Sequence, residues 1–398
     1  MQKNPNLLAV SIITFGLSIL SIFVLRFGFN VPILENSAAT VLSQVKPATQ
    51  KVFLLGGINS ISPYYMNDVF SSTDGKNWKL ISPQNTTTTT KWLPRYDFGY
   101  NIVYFNNKIW IIGGLKDSGT VGGPIAQDVW SSVDGISWIQ EGTLPFVSDE
   151  IHTVVFNNKI WVIGGANGGL NNPIWYSSNG TQWIHQDTNL TLPGIQDSPW
   201  NSKYKFTFTV FKNKMWVLGG QNSVSSLDTN DIWSSVNGIS WVHEDTDSLT
   251  SGIQDASWNV REGHTALVFN DKLYILGGAN SSSGSTSVNV DDVWSSVDGI
   301  HWTLVLAHAP WAIQQLSGSS FPGIRLYHSS FVLGNKIFLV AGLKSSLTCS
   351  TTGCTQPSND VWSSSDGLNW TQVITTGDPI SVRYGHSTVV IPIFNVKK

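Results

Sequence analysis

An all-β, six-bladed β-propeller is the fold class this sequence predicts, and three observations predict it. One phrase recurs six times: an aliphatic run ending in a small-residue doublet, a polar stretch, then a segment such as DVWSSVDGISW. The closing tryptophans of successive phrases, Trp78, Trp138, Trp183, Trp241, Trp302 and Trp370, are 60, 45, 58, 61 and 68 residues apart. Such steps suit about fifty residues per four-stranded blade, with the variation in loops. The repeat is also out of phase with the chain, which opens on the second strand of a unit and ends on an unpartnered first strand.

The elements of one unit follow in order. Strand b is the aliphatic run: KVFLLGG to Gly57, KIWIIGG to Gly114, KIWVIGG to Gly165, KMWVLGG to Gly220, KLYILGG to Gly278 and KIFLVAG to Gly342. Strand c is the DVWSS phrase, dense in aromatic and branched residues. Asp-Gly or Asn-Gly (Asp134-Gly135, Asn237-Gly238) then supplies a tight hairpin into strand d with its Trp. Strand a precedes b across an Asn-rich turn, as in Gly263–Phe269 before Asn270-Asp271. The last segment, Arg383 to Val390, is a strand a whose partner is strand b of the first unit at Lys51; pairing the two closes the ring and leaves no open edge.

The doublet after an aromatic aliphatic strand, the later Trp and the opening RYGH (Arg383–His386) resemble kelch repeats over roughly residues 51–391. The resemblance implies a kelch-type propeller of the superfamily that includes galactose oxidase, and similarity to exported bacterial-type kelch proteins. Galactose oxidase itself uses a copper site with a Tyr cross-linked to Cys, and here the two cysteines share one loop, so copper chemistry is not implied. SVDGISW (Ser132–Trp138) resembles the sialidase Asp-box, one residue shorter, and that box is structural. The exported kelch mutarotases of sialic acid are similar in size, blade count and compartment, a fold-level likeness only.

Composition is consistent with one large propeller. Of 398 residues 12 % are charged and the formal net charge is −3, which argues against nucleic acid as a partner. Residues 7–25 carry no charge; as a helix they rise about 28 Å, close to the ~30 Å hydrocarbon core of a bilayer. The expected organisation is a signal anchor over 1–29, a tether over 30–50 and the propeller over 51–398, outside the cytoplasm at the cell surface or in the periplasm. Cleavage near Ser37-Ala38-Ala39 would instead release a secreted monomer. Cys349 and Cys354 stand in one Ser/Thr-rich loop, CSTTGC; a disulfide there suits export, and a pair of metal-binding thiolates is the alternative, without neighbours to complete a site. No cofactor is expected.

Of 18 tryptophans, fourteen fall on strands b, c and d, leaving Trp92, Trp200, Trp258 and Trp311 in the d-to-a connections, where no packing slot is obvious. Strand a supplies a second irregularity. Its first position reads Arg95, Asp149, Lys203, Arg261, Arg325 and Arg383, and the only other Arg in the chain is Arg26. Those positions lie on the face of the b-to-c and d-to-a loops, so the cations are expected to ring one mouth of the channel, repelling one another unless paired or bound to an anion.

Arg95, Lys203, Arg261, Arg325, Arg383, Trp92, Trp200 and Trp258 are therefore the candidate ligand-binding residues, for an anionic glycan or an acidic peptide. The competing reading has each Arg paired with a neighbouring blade and each Trp plugging a seam. Glu150 and Glu262 adjoin the ring and are the only candidates for a general acid or base, in which case the protein would be an acidic-sugar isomerase or mutarotase. His152, His264, His328 and His386 recur at the fourth position of strand a, a pattern that suits a structural hydrogen bond better than a metal centre. The binding-module reading is preferred over the enzyme.

Overall fold

The computed structural model describes residues 49–59, 65–84, 91–96, 101–116, 124–148, 150–165, 172–186, 198–200, 202–244, 256–280, 290–312, 324–345 and 355–393. The expected anchor, the Cys349–Cys354 loop and residues 30–48 of the expected tether lie outside them; Thr49 and Gln50, expected in the tether, instead begin the first strand. Among the described residues there is no helix long and apolar enough to cross a membrane.

Six antiparallel blades follow one another, each ordered a, b, c, d from the axis outward. Blade 1 is closed by the two ends of the propeller: Ser387–Ile393 (a) pairs with Thr49–Ile58 (b), followed outward by Tyr65–Ser72 (c) and Asn77–Ser82 (d). Register runs from Thr49 opposite Ile393 to Leu55 opposite Ser387, so the predicted closure is present and the inner edge of strand b is paired. The next blades begin with strands a at Ile102–Phe105, His152–Phe156, Thr207–Phe211, Thr265–Phe269 and Ser329–Leu333. Lys76 and Trp78 carbonyls accept from Thr376 and Asp378 at 3.0 and 2.9 Å, so the segment after blade 6 also sutures the outer edge of blade 1.

The recurrent residues explain how blades stack. In each c-to-d turn the Ser hydroxyl accepts the Gly N–H, and the Asp or Asn side chain accepts the N–H groups two and three residues on. At Asp134 these are 2.8 Å from Ile136 and 2.8 Å from Ser137. The turn glycine then seats an aromatic of the preceding blade. A Cβ on Gly238 would come within 2.2 Å of the Trp161 ring, one on Gly180 within 2.3 Å of Trp110, and one on Gly75 within 2.3 Å of Phe338. Strand b aromatics and turn glycines are thus two halves of one interface, repeated around the ring.

Strand a of blade 3 departs from the common register. His152 lies opposite Ile163, where the other blades place Thr207, Thr265, Ser329 and Ser387 opposite the corresponding residue of strand b. Ile151, fully buried, therefore holds the register of His264, His328 and His386, and counting back places Ser148, not Asp149, in the register of the arginines. This corrects the expectation that all four histidines share one position. His152 instead stacks on Phe206 of blade 4 at 3.7 Å.

Candidate functional site

The five cations at the start of strand a are buried, and each is met by the Asp two residues before the aromatic residue of strand c in its own blade. Arg95 donates to Asp128 at 2.7 and 2.9 Å, Arg261 to Asp292 at 2.7 and 3.1 Å, and Arg383 to Asp68 at 2.8 and 2.7 Å. Lys203 is 2.5 Å from Asp231 and Arg325 2.5 Å from Asp360. Against burial, which acts to raise it, the Arg95 guanidinium holds the Asp128 carboxyl at about 2. Arg95, Arg261 and Arg383 also donate Nη1 to the carbonyl of the first glycine in the doublet, at 2.8, 2.9 and 2.9 Å. The main chain then ties each blade to the next, because Gly220, Gly278 and Gly342 donate N–H to the carbonyls of Arg261, Arg325 and Arg383 at 2.9, 2.7 and 2.9 Å.

An open ring of cations is thereby replaced by five internal ion pairs. Blade 3 has neither partner. There Asn172 takes over, donating to the carbonyls of Gly164, Gly165 and Lys203 and accepting from Lys203 N and Trp200 Nε1.

The four loop tryptophans are equally internal. Trp92, Trp200, Trp258 and Trp311 meet Trp138, Trp241, Trp302 and Trp370 edge to face, with centroids 6.0, 5.0, 6.1 and 6.0 Å apart. Trp92, Trp258 and Trp311 also reach the glycine doublet of the preceding blade, so each fills a seam between blades. The guanidinium carbons of Arg95 and Arg261 lie 5.9 and 5.4 Å from the centroids of Trp92 and Trp258. The packing slot that the sequence does not announce is the d-strand Trp of the following blade.

Beneath this layer the channel is polar. Ile102, Thr153, Phe208, Ala266, Ser330 and Thr388, one from each blade, line an axial cavity of about 130 Å³. The neighbouring hydroxyls work between blades: Thr207 Oγ1 donates to His264 O at 3.2 Å, and Ser329 Oγ to His386 O at 2.9 Å. His328 Nε2 shares a proton with Thr265 Oγ1 across 2.9 Å. Burial holds His152, His264 and His386 well below the ordinary His range and His328 at about 3, so all four are neutral at physiological pH. Among the described residues no group of three His, Cys, Asp or Glu could hold a metal ion.

The loop-face mouth of the channel is built on a belt of left-handed residues. Glu150, Lys205, Gly263, Tyr327 and Gly385 have φ of 46°, 55°, 61°, 53° and 60°. Gly263 N donates to Lys205 O, Tyr327 N to Gly263 O and Gly385 N to Tyr327 O at 3.0, 2.9 and 2.9 Å. Glycine is the unstrained residue at such a position, and two blades use it. Three do not, and their side chains gather at the mouth.

Lys205 Nζ is 3.0 Å from Glu262 Oε2 and lies 4.9 and 5.8 Å from the ring centroids of Tyr204 and Tyr327. Burial works against the Lys205 charge, but Glu262 and Glu150 outweigh it and hold the ammonium above the usual Lys value. Tyr204 hydrogen-bonds Gln221, which donates to Asp228 at 3.0 Å, and Tyr384 lies 6.4 Å from Tyr327. Of the residues singled out in the sequence, only Glu150 and Glu262 belong to this cluster. Tyr204, Lys205, Tyr327 and Tyr384 were missed. The available signal was that Lys205 and Tyr327 stand where the openings REGH and RYGH carry glycine.

Residues 29–186 match the family model described as the DUF6242 beta propeller domain. Among curated proteins the chain is 22% identical over 302 residues to a Leucine-zipper-like transcriptional regulator 1 homolog of Drosophila melanogaster, covering 73% of this chain and 28% of that one. It is 25% identical over 199 residues to Kelch repeat and BTB domain-containing protein 1 of cowpox virus, covering 47% and 31% of the two chains. Over 133 residues it is 26% identical to Kelch domain-containing protein 3 of Bos taurus, covering 33% and 30%. The chain thus spans less than a third of the length of these curated relatives.

Proposed function

We propose that this chain, a kelch-type β-propeller, is a binding module that recognises its ligand on the loop face around the channel mouth, and that residues 1–29 anchor it in a membrane with the propeller outside the cytoplasm. Protein or ligand binding is the role that a kelch-like propeller suggests. The single observation that carries the location is the left-handed belt: Glu150, Lys205 and Tyr327 occupy positions where glycine would be unstrained. Strain of order 1 kcal/mol or more per residue, kept in the same layer of three blades, marks a place where the side chain matters more than the backbone cost. The residues that repeat are engaged in the frame, which leaves recognition to those that differ from blade to blade.

The ligand chemistry we favour is anionic, a glycan or an acidic peptide. The five cations first expected to supply it are internally neutralised, so an anion must be met by other groups on this face. Glu262 is ion-paired with Lys205 and carries no separate acid–base assignment. Immobilised acidic glycans and acidic peptides, probed with the full chain and with a Lys205→Gln, Tyr327→Gly variant, test the reading. Binding by the wild type that weakens several-fold in the variant supports it; binding of neither class, or unchanged binding in the variant, overturns it.

A further inference from the structure

Away from the channel mouth, on the outer strands of blade 2, the face holds a second recess. Lys91 and Leu93 approach it from the d-to-a connection, Lys116 and Gln127 from the ends of strands b and c, and Trp130 and Gln140 from strands c and d. Its volume is about 490 Å³, within the ~300–1,000 Å³ typical of small-molecule sites.

Its charge is unbalanced. Asp128 is already engaged twice by Arg95, and Lys116 Nζ stands 3.6 Å from the same carboxylate as a second cation. Lys91 is nine-tenths buried, and its ammonium donates to Ser82 Oγ at 2.7 Å and Pro83 O at 3.2 Å, both uncharged. Burial lowers Lys91 to about 8 even though Asp68 acts to raise it, which is the response of a cation short of negative charge. Two lysines thus line the recess in excess of the carboxylate there.

The rest of the lining is mixed. Gln140 and Thr143 are exposed and offer amide and hydroxyl groups, while Leu93, exposed at 41%, gives it an apolar wall and the largely buried Trp130, 6% exposed, shows an aromatic edge at its base. A polar rim with an apolar wall, one aromatic edge and two cations suits a ring that carries hydroxyls on its edges, an apolar face and a carboxylate.

From this geometry we infer that the blade-2 recess is a saccharide subsite specific for a uronic-acid unit, whose carboxylate is met by Lys91 and Lys116. The inference rests on the loop face being the recognition surface and adds the place and the chemistry of one contact.

The test uses the full chain in detergent micelles, with binding of an oligoglucuronate followed by calorimetry against a neutral oligoglucoside of equal length. The expected result is binding of the uronate at least tenfold tighter than that of the neutral sugar, with a loss of tenfold or more in Lys116→Gln at an unchanged thermal midpoint. Lys91→Met is the second variant, examined only where its midpoint shows it folded, and is expected to lose affinity similarly.

Equal affinity for the two sugars, or unchanged uronate binding in Lys116→Gln, overturns the subsite. Loss of uronate binding in Lys205→Gln but not in Lys116→Gln also overturns it while the loop-face reading stands. Preference for an Asp/Glu-rich peptide over the uronate overturns the saccharide assignment, and absence of binding to every acidic probe removes both readings.

Discussion

Arg383 reaches Asp68 across 315 residues of chain and donates through both terminal nitrogens, at 2.8 and 2.7 Å. The pair is more than one of five equivalents, because Arg383 belongs to the strand that closes blade 1 and Asp68 to the strand two places out in the same sheet. It ties the two ends of the propeller together through side chains where Ser387–Ile393 and Thr49–Ile58 do so through main chain. Breaking a buried pair by removing one partner costs about 3–5 kcal/mol, because the other charge is left unmatched. Asp68→Ala or Arg383→Ala is therefore expected to lower stability to urea by about that amount.

Lys108→Ala supplies the comparison. Its pair with Glu141 is 2.7 Å long but roughly a third exposed at the lysine, and such a pair contributes about 0–1 kcal/mol. Similar losses from Lys108→Ala and Arg383→Ala in equilibrium unfolding would falsify the assignment of the buried pairs to the frame.

Gly238 makes the inter-blade contact testable one residue at a time. Its φ is +76° and an added Cβ would lie 2.2 Å from two atoms of Trp161, so Gly238→Ala meets both backbone strain and a rigid ring. Gly334 has φ of +62° with nothing within 4 Å of the added Cβ, and isolates the backbone part. The expectation is about 1 kcal/mol lost at Gly334→Ala and at least 2 kcal/mol more at Gly238→Ala. Equal midpoints in chemical denaturation would show that Trp161 yields and that the glycine is not part of the joint.

These features differ in how far they could be read from the residues. The blades, their order and the closing strand follow from periodicity alone, since the glycine doublet and the Trp mark each unit wherever loop lengths vary. The cations stand in the sequence as one column, and their partners stand in a second column that accompanies it. Asp68, Asp128, Asp231, Asp292 and Asp360 stand two residues before the aromatic residue of strand c in the five blades that have Arg or Lys, and blade 3, reading Pro173-Ile174-Trp175, lacks both. Joint presence and joint absence within one chain was the legible sign of an ion pair. The shift that moves His152 out of the histidine register leaves no such mark, because counting from Asp149 reproduces the expected spacing by coincidence. The mouth cluster was hidden for a different reason: it is defined by a backbone conformation, and only the replacement of glycine by Lys205 and Tyr327 betrays it.

Glu150 gives the most direct measure of strain at the mouth. With φ of +46° it sits where a Cβ is disfavoured, so Glu150→Gly should be more stable than Glu150→Ala by about 1 kcal/mol. At Ala266, inside a strand, the order should reverse, with glycine the less stable residue. Thermal midpoints of the four proteins decide the matter; an Ala variant at 150 as stable as the Gly variant would show that the belt stores no strain, and the loop-face reading would lose its main support.

The buried histidines set how the propeller responds to acid. His264 and His386 are neutral in the folded protein, with burial and then Arg261 or Arg383 holding each well below 6.5, and His328 lies at about 3 for the same reasons of burial and Arg325. The unfolded chain, with ordinary His values near 6.5, binds more protons than the folded one below that pH, so stability is complete above about 6.5 and falls as pH drops. Each such histidine contributes a slope of up to ~1.4 kcal/mol per pH unit in that window. Asp128, lowered to about 2 by Arg95 against burial, adds loss in the same direction only below its unfolded value near 3.8. The two causes are therefore separable by pH. Blade 4 carries Phe206 in the register of His264, and Phe206 is fully buried, so the site tolerates an aromatic ring without a charge. His264→Phe should accordingly keep most of its stability at pH 7.5 and lose it less steeply between pH 6.5 and 4.5, by about one proton's worth of slope. Parallel curves for the variant and the wild type across that range would place the acid sensitivity elsewhere.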